Sequence, residues 1–122
     1  MSQTVSEISL KIDHTKTSAD ERIMYFDILL DDSEIGYIYY VGNERSIKDI
    51  GNIGYFVKEE FRGHNYAYKA CLKLFDILKA KKINRIYAYV LKDNQASLSI
   101  MKKLGLTIVD EQLDHYLFMT NL

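Results

Sequence analysis

The chain has 122 residues, 48% hydrophobic and 27% charged, a composition that fits one soluble globular domain over residues 1–122. Sixteen lysines and arginines face seventeen aspartates and glutamates, so the net basic surface that nucleic acid needs is missing. No apolar run is long enough to cross a bilayer, the start shows no basic segment followed by an apolar one, and Cys71 has no second cysteine to bond; together these predict a cytoplasmic protein without membrane contact.

Ile8, Leu10 and Ile12 alternate with Glu7, Ser9, Lys11 and Asp13, the pattern of a half-buried strand. His14 to Arg22 is polar and reads as a loop. Ile23 to Leu30 is a second strand, Asp31-Asp32-Ser33-Glu34 a turn, and Ile35 to Val41 a third strand ended by Gly42-Asn43. These strands predict an antiparallel meander. Ile50 to Val57 is a fourth strand, in which Gly51 and Gly54 mark a bulge or the close approach of another group. Tyr66 to Lys79 is an amphipathic helix with Ala67, Ala70, Cys71, Leu74 and Leu78 on its inner face. Ile86 to Leu91 follows as a strand, and the order strand–helix–strand predicts a right-handed crossover between parallel strands. Asn94 is a good N-cap for a second helix, with Ser97, Ile100, Met101 and Leu104 inside, Lys102 and Lys103 at its end and Gly105 as the stop. Leu106 to Val109 and His115 to Met119 close the chain as two short strands.

The segment Arg62-Gly63-His64-Asn65-Tyr66-Ala67 carries the chemistry. A strand that turns tightly into a helix leaves unpaired N–H groups at the positive end of the helix dipole, which is a site for phosphate. A phosphate-bearing ligand is the first expectation. His14 and His115 have no metal-ligand spacing with each other or with Cys71, so no metal is expected. Tyr37, Tyr39 and Tyr55 read as sheet packing or as the lining of an acceptor groove.

Two segments resemble the GNAT superfamily of acyl-CoA-dependent N-acetyltransferases. Val57-Lys58-Glu59-Glu60-Phe61-Arg62-Gly63-His64-Asn65-Tyr66-Ala67 is similar to the family's acetyl-CoA signature, Arg/Gln-x-x-Gly-x-Gly/Ala. Asp93-Asn94-Gln95-Ala96-Ser97, running on to Lys103-Leu104-Gly105-Leu106, is similar to its Asn-x-x-Ser helix ending in Lys-Leu-Gly-Phe. The second segment looks most like the bacterial branch that acetylates ribosomal-protein N-termini. The resemblance covers about residues 35 to 120. It implies an α/β (α+β) fold: a mixed, mostly antiparallel twisted sheet of about seven strands with two main helices. The N-terminal helical region is abbreviated, since His14 to Arg22 cannot hold the two helices that many members place there.

The resemblance implies acetyl-CoA as cosubstrate and a primary amine as acceptor, either a protein N-terminus or a small molecule. The diphosphate would lie on the main chain of Gly63, His64, Asn65, Tyr66 and Ala67, with Arg62 beside it. The pantetheine arm would pair with Phe56 and Val57, and the Val57 N–H would polarise the thioester carbonyl. Asn94 would touch the arm or fix the loop, and Ser97 would stand near the sulfur as the acid. Glu111 is the candidate general base, with Tyr87, Tyr89, His115, Tyr116 or water as alternatives. Asn65 replaces the family's central glycine, Glu59 replaces a frequent proline, and Met101 replaces a frequent tyrosine acid. The acceptor side is either open or covered by another copy of the chain. The rival reading is a catalytically silent acyl-CoA-binding module.

Overall fold

Period-two alternation decides most of this fold, because every strand sends one set of side chains into a common core. The computed structural model describes residues 7–42 and 50–122. Among the described residues, seven strands form one sheet, β1 (Ile8–Ile12), β2 (Ile23–Leu30), β3 (Ser33–Gly42), β4 (Ile50–Val57), β5 (Arg85–Leu91), β6 (Thr107–Glu111) and β7 (His115–Asn121). Their order across the sheet is β1-β2-β3-β4-β5-β7-β6. Helix α1 (Tyr66–Ala80) joins β4 to β5, and α2 (Gln95–Lys103) joins β5 to β6. Among the described residues, only the β4–β5 pair is parallel. No helix among the described residues is long and apolar enough to cross a membrane.

Met24, Phe26 and Ile28 of β2, Ile38 and Tyr40 of β3, Ile53 and Val57 of β4, Ile86, Ala88 and Val90 of β5, and Phe118 of β7 are buried. Helix α1 adds Ala70, Cys71, Leu74, Phe75 and Leu78 to the same cluster, and α2 adds Met101. Truncating Leu74 or Leu78 to alanine would cost roughly 2–5 kcal/mol. The residues between the buried ones point the other way. Tyr25, Tyr37, Tyr39 and Phe56 stack in a row there, with centroids 5.1 to 6.5 Å apart. Tyr37 is 41% exposed and Tyr89, on the same face, 60%.

The expected elements are present, with local differences. Strand β3 starts at Ser33, not Ile35, because Asp31 adopts φ 56° and closes the turn in two residues, leaving Leu30 opposite Ser33. A bulge follows, so Ile35 and Ile38 are both buried despite their spacing of three. Strand β6 starts at Thr107 because Leu106 turns into the core after the left-handed Gly105. Phe75 joins the buried stripe of α1, whereas Ala67 sits half-buried near the helix start. Residues 13–22 form turns without a helix; Asp13 Oδ1 accepts from the Thr15 N–H at 3.0 Å, and Ile23 N–H donates to Ser18 Oγ at 3.0 Å. The two strand glycines serve close approach: the ring of Tyr40 lies against Gly51 and that of Tyr39 against Gly54, where a Cβ would collide. The expected Gly42-Asn43 turn runs into Asn43, which lies outside the described residues, as does the segment before Glu7.

One irregularity of the sheet matters most. Strands β4 and β5 pair only from Ile50–Arg85 to Asn52–Tyr87. Beyond that, β4 stays on β3 as far as Val57 and β5 stays on β7 as far as Leu91. A gap opens between them toward their C-terminal ends.

Candidate active site

The end of β4 faces this gap with its main chain. Lys58 N–H donates to the Ile35 carbonyl at 2.8 Å, and these two residues lie directly opposite each other. That fixes the phase of the β3–β4 ladder, because hydrogen-bonded and non-bonded pairs alternate. Phe56 therefore bonds to Tyr37, while Tyr55 and Val57 turn their N–H and C=O groups away from β3. The expected pairing surface of Phe56 and Val57 is corrected by this phase: the groups on offer are those of Tyr55 and the N–H of Val57, whose carbonyl is taken by Arg62. Phe56 contributes its ring, over which the Arg62 guanidinium sits 5.4 Å from the centroid. Arg62 Nε also donates to the Val57 carbonyl at 2.7 Å, so the arginine braces the strand end.

A 3-10 turn, Glu59–Phe61, carries the chain from β4 into the glycine turn. Gly63 takes φ 85° and Asn65 φ 64°, so the chain passes twice through the left-handed region. Asparagine thus takes a left-handed turn that most often falls to glycine. Its side chain makes no cap bond to α1. The first bond into the helix runs from Lys69 N–H to the Asn65 carbonyl at 3.0 Å. Among the described residues, no protein group accepts from the N–H groups of Gly63 through Tyr68. These amides lie at the positive end of the α1 dipole, and a Cβ placed on Gly63 would meet nothing within 4 Å.

Helix α2 forms the facing wall. Asn94 Oδ1 accepts from the Ser97 N–H at 3.1 Å, a regular N-cap. Ser97 Oγ accepts from the Tyr55 hydroxyl at 2.8 Å, which ties α2 to β4. Burial pushes the Tyr55 phenol up to about 12, with the Ser97 bond pulling the other way, so it stays neutral. At the far end of α2, Lys103 Nζ lies 4.3 Å from the Tyr68 ring centroid and 3.5 Å from Asn65 Oδ1. Between these walls lies a cleft of about 470 Å³, a size suited to a small organic ligand. Arg62 and Lys103 line it, and no carboxylate among the described residues does. Together with the open amides, this gives the cleft a lining that suits an anion.

Most of the expected site residues meet here. Phe56, Val57, Arg62, Gly63, Asn65, Tyr66, Ala67, Asn94 and Ser97 all line the cleft. His64 does not line the cleft: its ring is exposed and stacks on Tyr66 at 5.4 Å. Glu111 is not brought to the cleft. It lies at the edge strand β6, separated from β5 by β7, with its carboxylate 2.6 Å from Lys92 Nζ. Of its alternatives, His115 is paired with Asp114 at 2.7 Å and packs edge-on to Tyr89. The Asp114 carboxyl is held below its usual range, chiefly by that bond to His115. Among the described residues no three His, Cys, Asp or Glu side chains converge as a metal site.

Two functional candidates escaped the sequence reading. Lys103 looked like a cation placed to suit the α2 dipole. Tyr55 was grouped with Tyr37 and Tyr39, yet it shares the parity of the buried Ile53 and Val57 and so faces the helices. That parity was the available signal.

Residues 2–107 match the model of the acetyltransferase (GNAT) domain. Among curated proteins none matches in sequence. In structure the chain is similar to the PaiA N-acetyltransferase of Thermoplasma acidophilum in complex with coenzyme A, with a TM-score of 0.75 and 19% identity over 85% of this chain and 64% of that one. It is similar to ribosomal-protein-S5-alanine acetyltransferase from Vibrio fischeri, with a TM-score of 0.73 and 20% identity over 84% of this chain and 63% of the other. RimJ of Mycobacterium smegmatis, in complex with CoA-disulfide, gives a TM-score of 0.74 and 23% identity over 84% of this chain and 54% of its own. The chain spans less than two thirds of the length of each of these three. With the family match running from before β1 to the start of β6 and the fold shared, the chain belongs to the acetyltransferase (GNAT) domain family.

Proposed function

We propose that the chain is an acetyl-CoA-dependent N-acetyltransferase that moves an acetyl group to a primary amine by direct attack. One observation carries this reading: the open amides at the start of α1 and the outward-turned main chain at the end of β4 border one cleft. The diphosphate fits the N–H groups of Gly63 to Tyr68, with Arg62 and Lys103 supplying positive charge. The pantetheine arm fits the gap, paired to Tyr55 and Val57 as an added strand. The Val57 N–H then polarises the thioester carbonyl, and its effect grows as the oxygen becomes an oxyanion. Ser97, on the wall of the same cleft, would then stand beside the sulfur. Met101 is buried in the core and supplies no acid. A thiol with a pKa of about 8.5 leaves with little help.

The attacking amine must be neutral. A peptide α-amine, with a pKa of about 7.7–8.0, is neutral in roughly a tenth of molecules at pH 7, whereas a lysine-type amine near 10.4 is neutral in fewer than about one in a thousand. On that ground a peptide N-terminus is the acceptor class placed first, ahead of small-molecule amines. The similarity to the ribosomal-protein acetyltransferase supports the same order. The exposed tyrosine face, with no helix from residues 13–22 to wall it, is the side from which the acceptor would approach. The ion pair that holds Glu111 favours a second reading, a silent acyl-CoA-binding module.

Calorimetric titration with CoA, followed by thiol release from acetyl-CoA across a panel of peptides and small amines, separates the readings. Binding with amine-dependent thiol release is expected. Binding without release supports the silent module, and no binding removes both.

A further inference from the structure

We propose that Tyr55 is a positioning residue for Ser97: its phenolic O–H, donated into the serine oxygen, turns the serine's own proton into the cleft toward the sulfur of a bound thioester. This rests on the CoA reading above and adds a named device to it.

The geometry is specific. Tyr55 and Ser97 come from different elements, β4 and α2, and meet at 2.8 Å with the phenol as donor. The phenol has one proton and, among the described residues, one acceptor for it. Ser97 is held from a second direction, since its N–H is spent on Asn94 Oδ1. With Tyr55 as donor, Ser97 Oγ has no acceptor of its own among the described residues, so its proton is left for the cleft. The chain of donation runs one way, from phenol to serine to sulfur, and each link polarises the next. The phenol stays neutral through ordinary pH, so its proton remains there to be donated.

No proton is transferred by either hydroxyl. The amine nitrogen bonds to the thioester carbon, the C–S bond breaks, and sulfur leaves with the electron pair. The proton that sulfur finally takes is the one the nitrogen sheds. Ser97 stabilises the thiolate in between by a charge-assisted hydrogen bond.

The test needs no acceptor. CoA itself is bound to the protein, and its thiol is titrated by the ultraviolet absorbance of the thiolate. In the wild type the bound thiol should titrate about one pKa unit below free CoA, near the ordinary thiol value of about 8.5. Tyr55→Phe and Ser97→Ala should each return most of that unit while still binding CoA, and the double variant should add nothing further. Ser97→Thr should restore the shift. A Tyr55→Phe protein that folds, binds CoA and titrates like the wild type would overturn the proposal, as would additive effects in the double variant. If Tyr55→Phe fails to fold, Ser97→Ala titrating like the wild type overturns it instead. Failure of the wild type to bind CoA at all would remove the underlying reading and the proposal with it, a result distinct from binding with an unshifted thiol.

Discussion

Asn65 sits at φ 64°, a conformation that costs most residues about 1–2 kcal/mol and asparagine less. It keeps the turn open where a bulky β-branched residue would not. Its side-chain oxygen also gives Lys103 a resting place, 3.5 Å away at the mouth of the cleft. Lys103 is thus a cation from one helix end held beside the N–H groups of another. We expect Lys103→Ala to weaken CoA binding by about tenfold, or 1.4 kcal/mol, and Lys103→Arg to keep most of the affinity. The difference between wild type and Lys103→Ala should shrink in high salt, because the site is exposed and salt screens it. Calorimetric titrations with CoA at low and high ionic strength check both points. A loss that is independent of salt would argue that Lys103 acts through packing on Tyr68 and not through charge.

At the scale of elements, α2 is a short helix with one fully buried residue, Met101, so its ends matter. Asn94 holds the first turn by accepting from Ser97 N–H. Asn94→Ala should cost about 1 kcal/mol and lower the melting temperature by a few degrees, with Asn94→Ser or Asn94→Asp recovering most of it. Amide exchange should quicken first at the start of α2, ahead of the sheet. Uniform quickening throughout the chain would instead mean that the helix opens only with the whole fold. Strand β4 shows how an element acquires function from its neighbours. Its apolar alternation was legible in Ile53, Tyr55 and Val57. Which of its amides face the gap was not, because that depends on the ladder phase set by Ile35 and Lys58 across β3.

Across the whole molecule, two weak acids are withdrawn from water: Cys71, buried on α1, and Tyr55, half-buried on β4. Burial pushes the Cys71 thiol up from 9.0 to about 12, and burial likewise dominates the rise of the Tyr55 phenol from 10.0 to about 12. Above pH 9 the unfolded chain releases these protons before the folded one does. The unfolded state then holds fewer protons, and stability falls as pH rises. The contribution of both groups is intact below about pH 9 and is lost progressively toward pH 12. Urea midpoints measured from pH 8 to 11 should fall with rising slope, and Cys71→Ala should flatten the fall whatever it does to the baseline. An unchanged slope in that variant would show that other groups govern the alkaline transition.

The sequence alone determined the elements, the glycine turn and the N-cap, because period-two and period-3.6 alternation, left-handed φ and capping are local properties of a few adjacent residues. It also carried the family resemblance, in two short motifs. Glu111 was misplaced for the same reason that these were found. Its local chemistry suits a base, but its strand adds to the far edge of the sheet, where Lys92 claims the carboxylate. Only the tertiary structure decided the length of β4–β5 pairing, the facing of Val57, and the meeting of Tyr55 with Ser97 and of Lys103 with Asn65. Each of those joins residues some forty positions apart or depends on a third strand, and no periodicity within one segment encodes a distance between two.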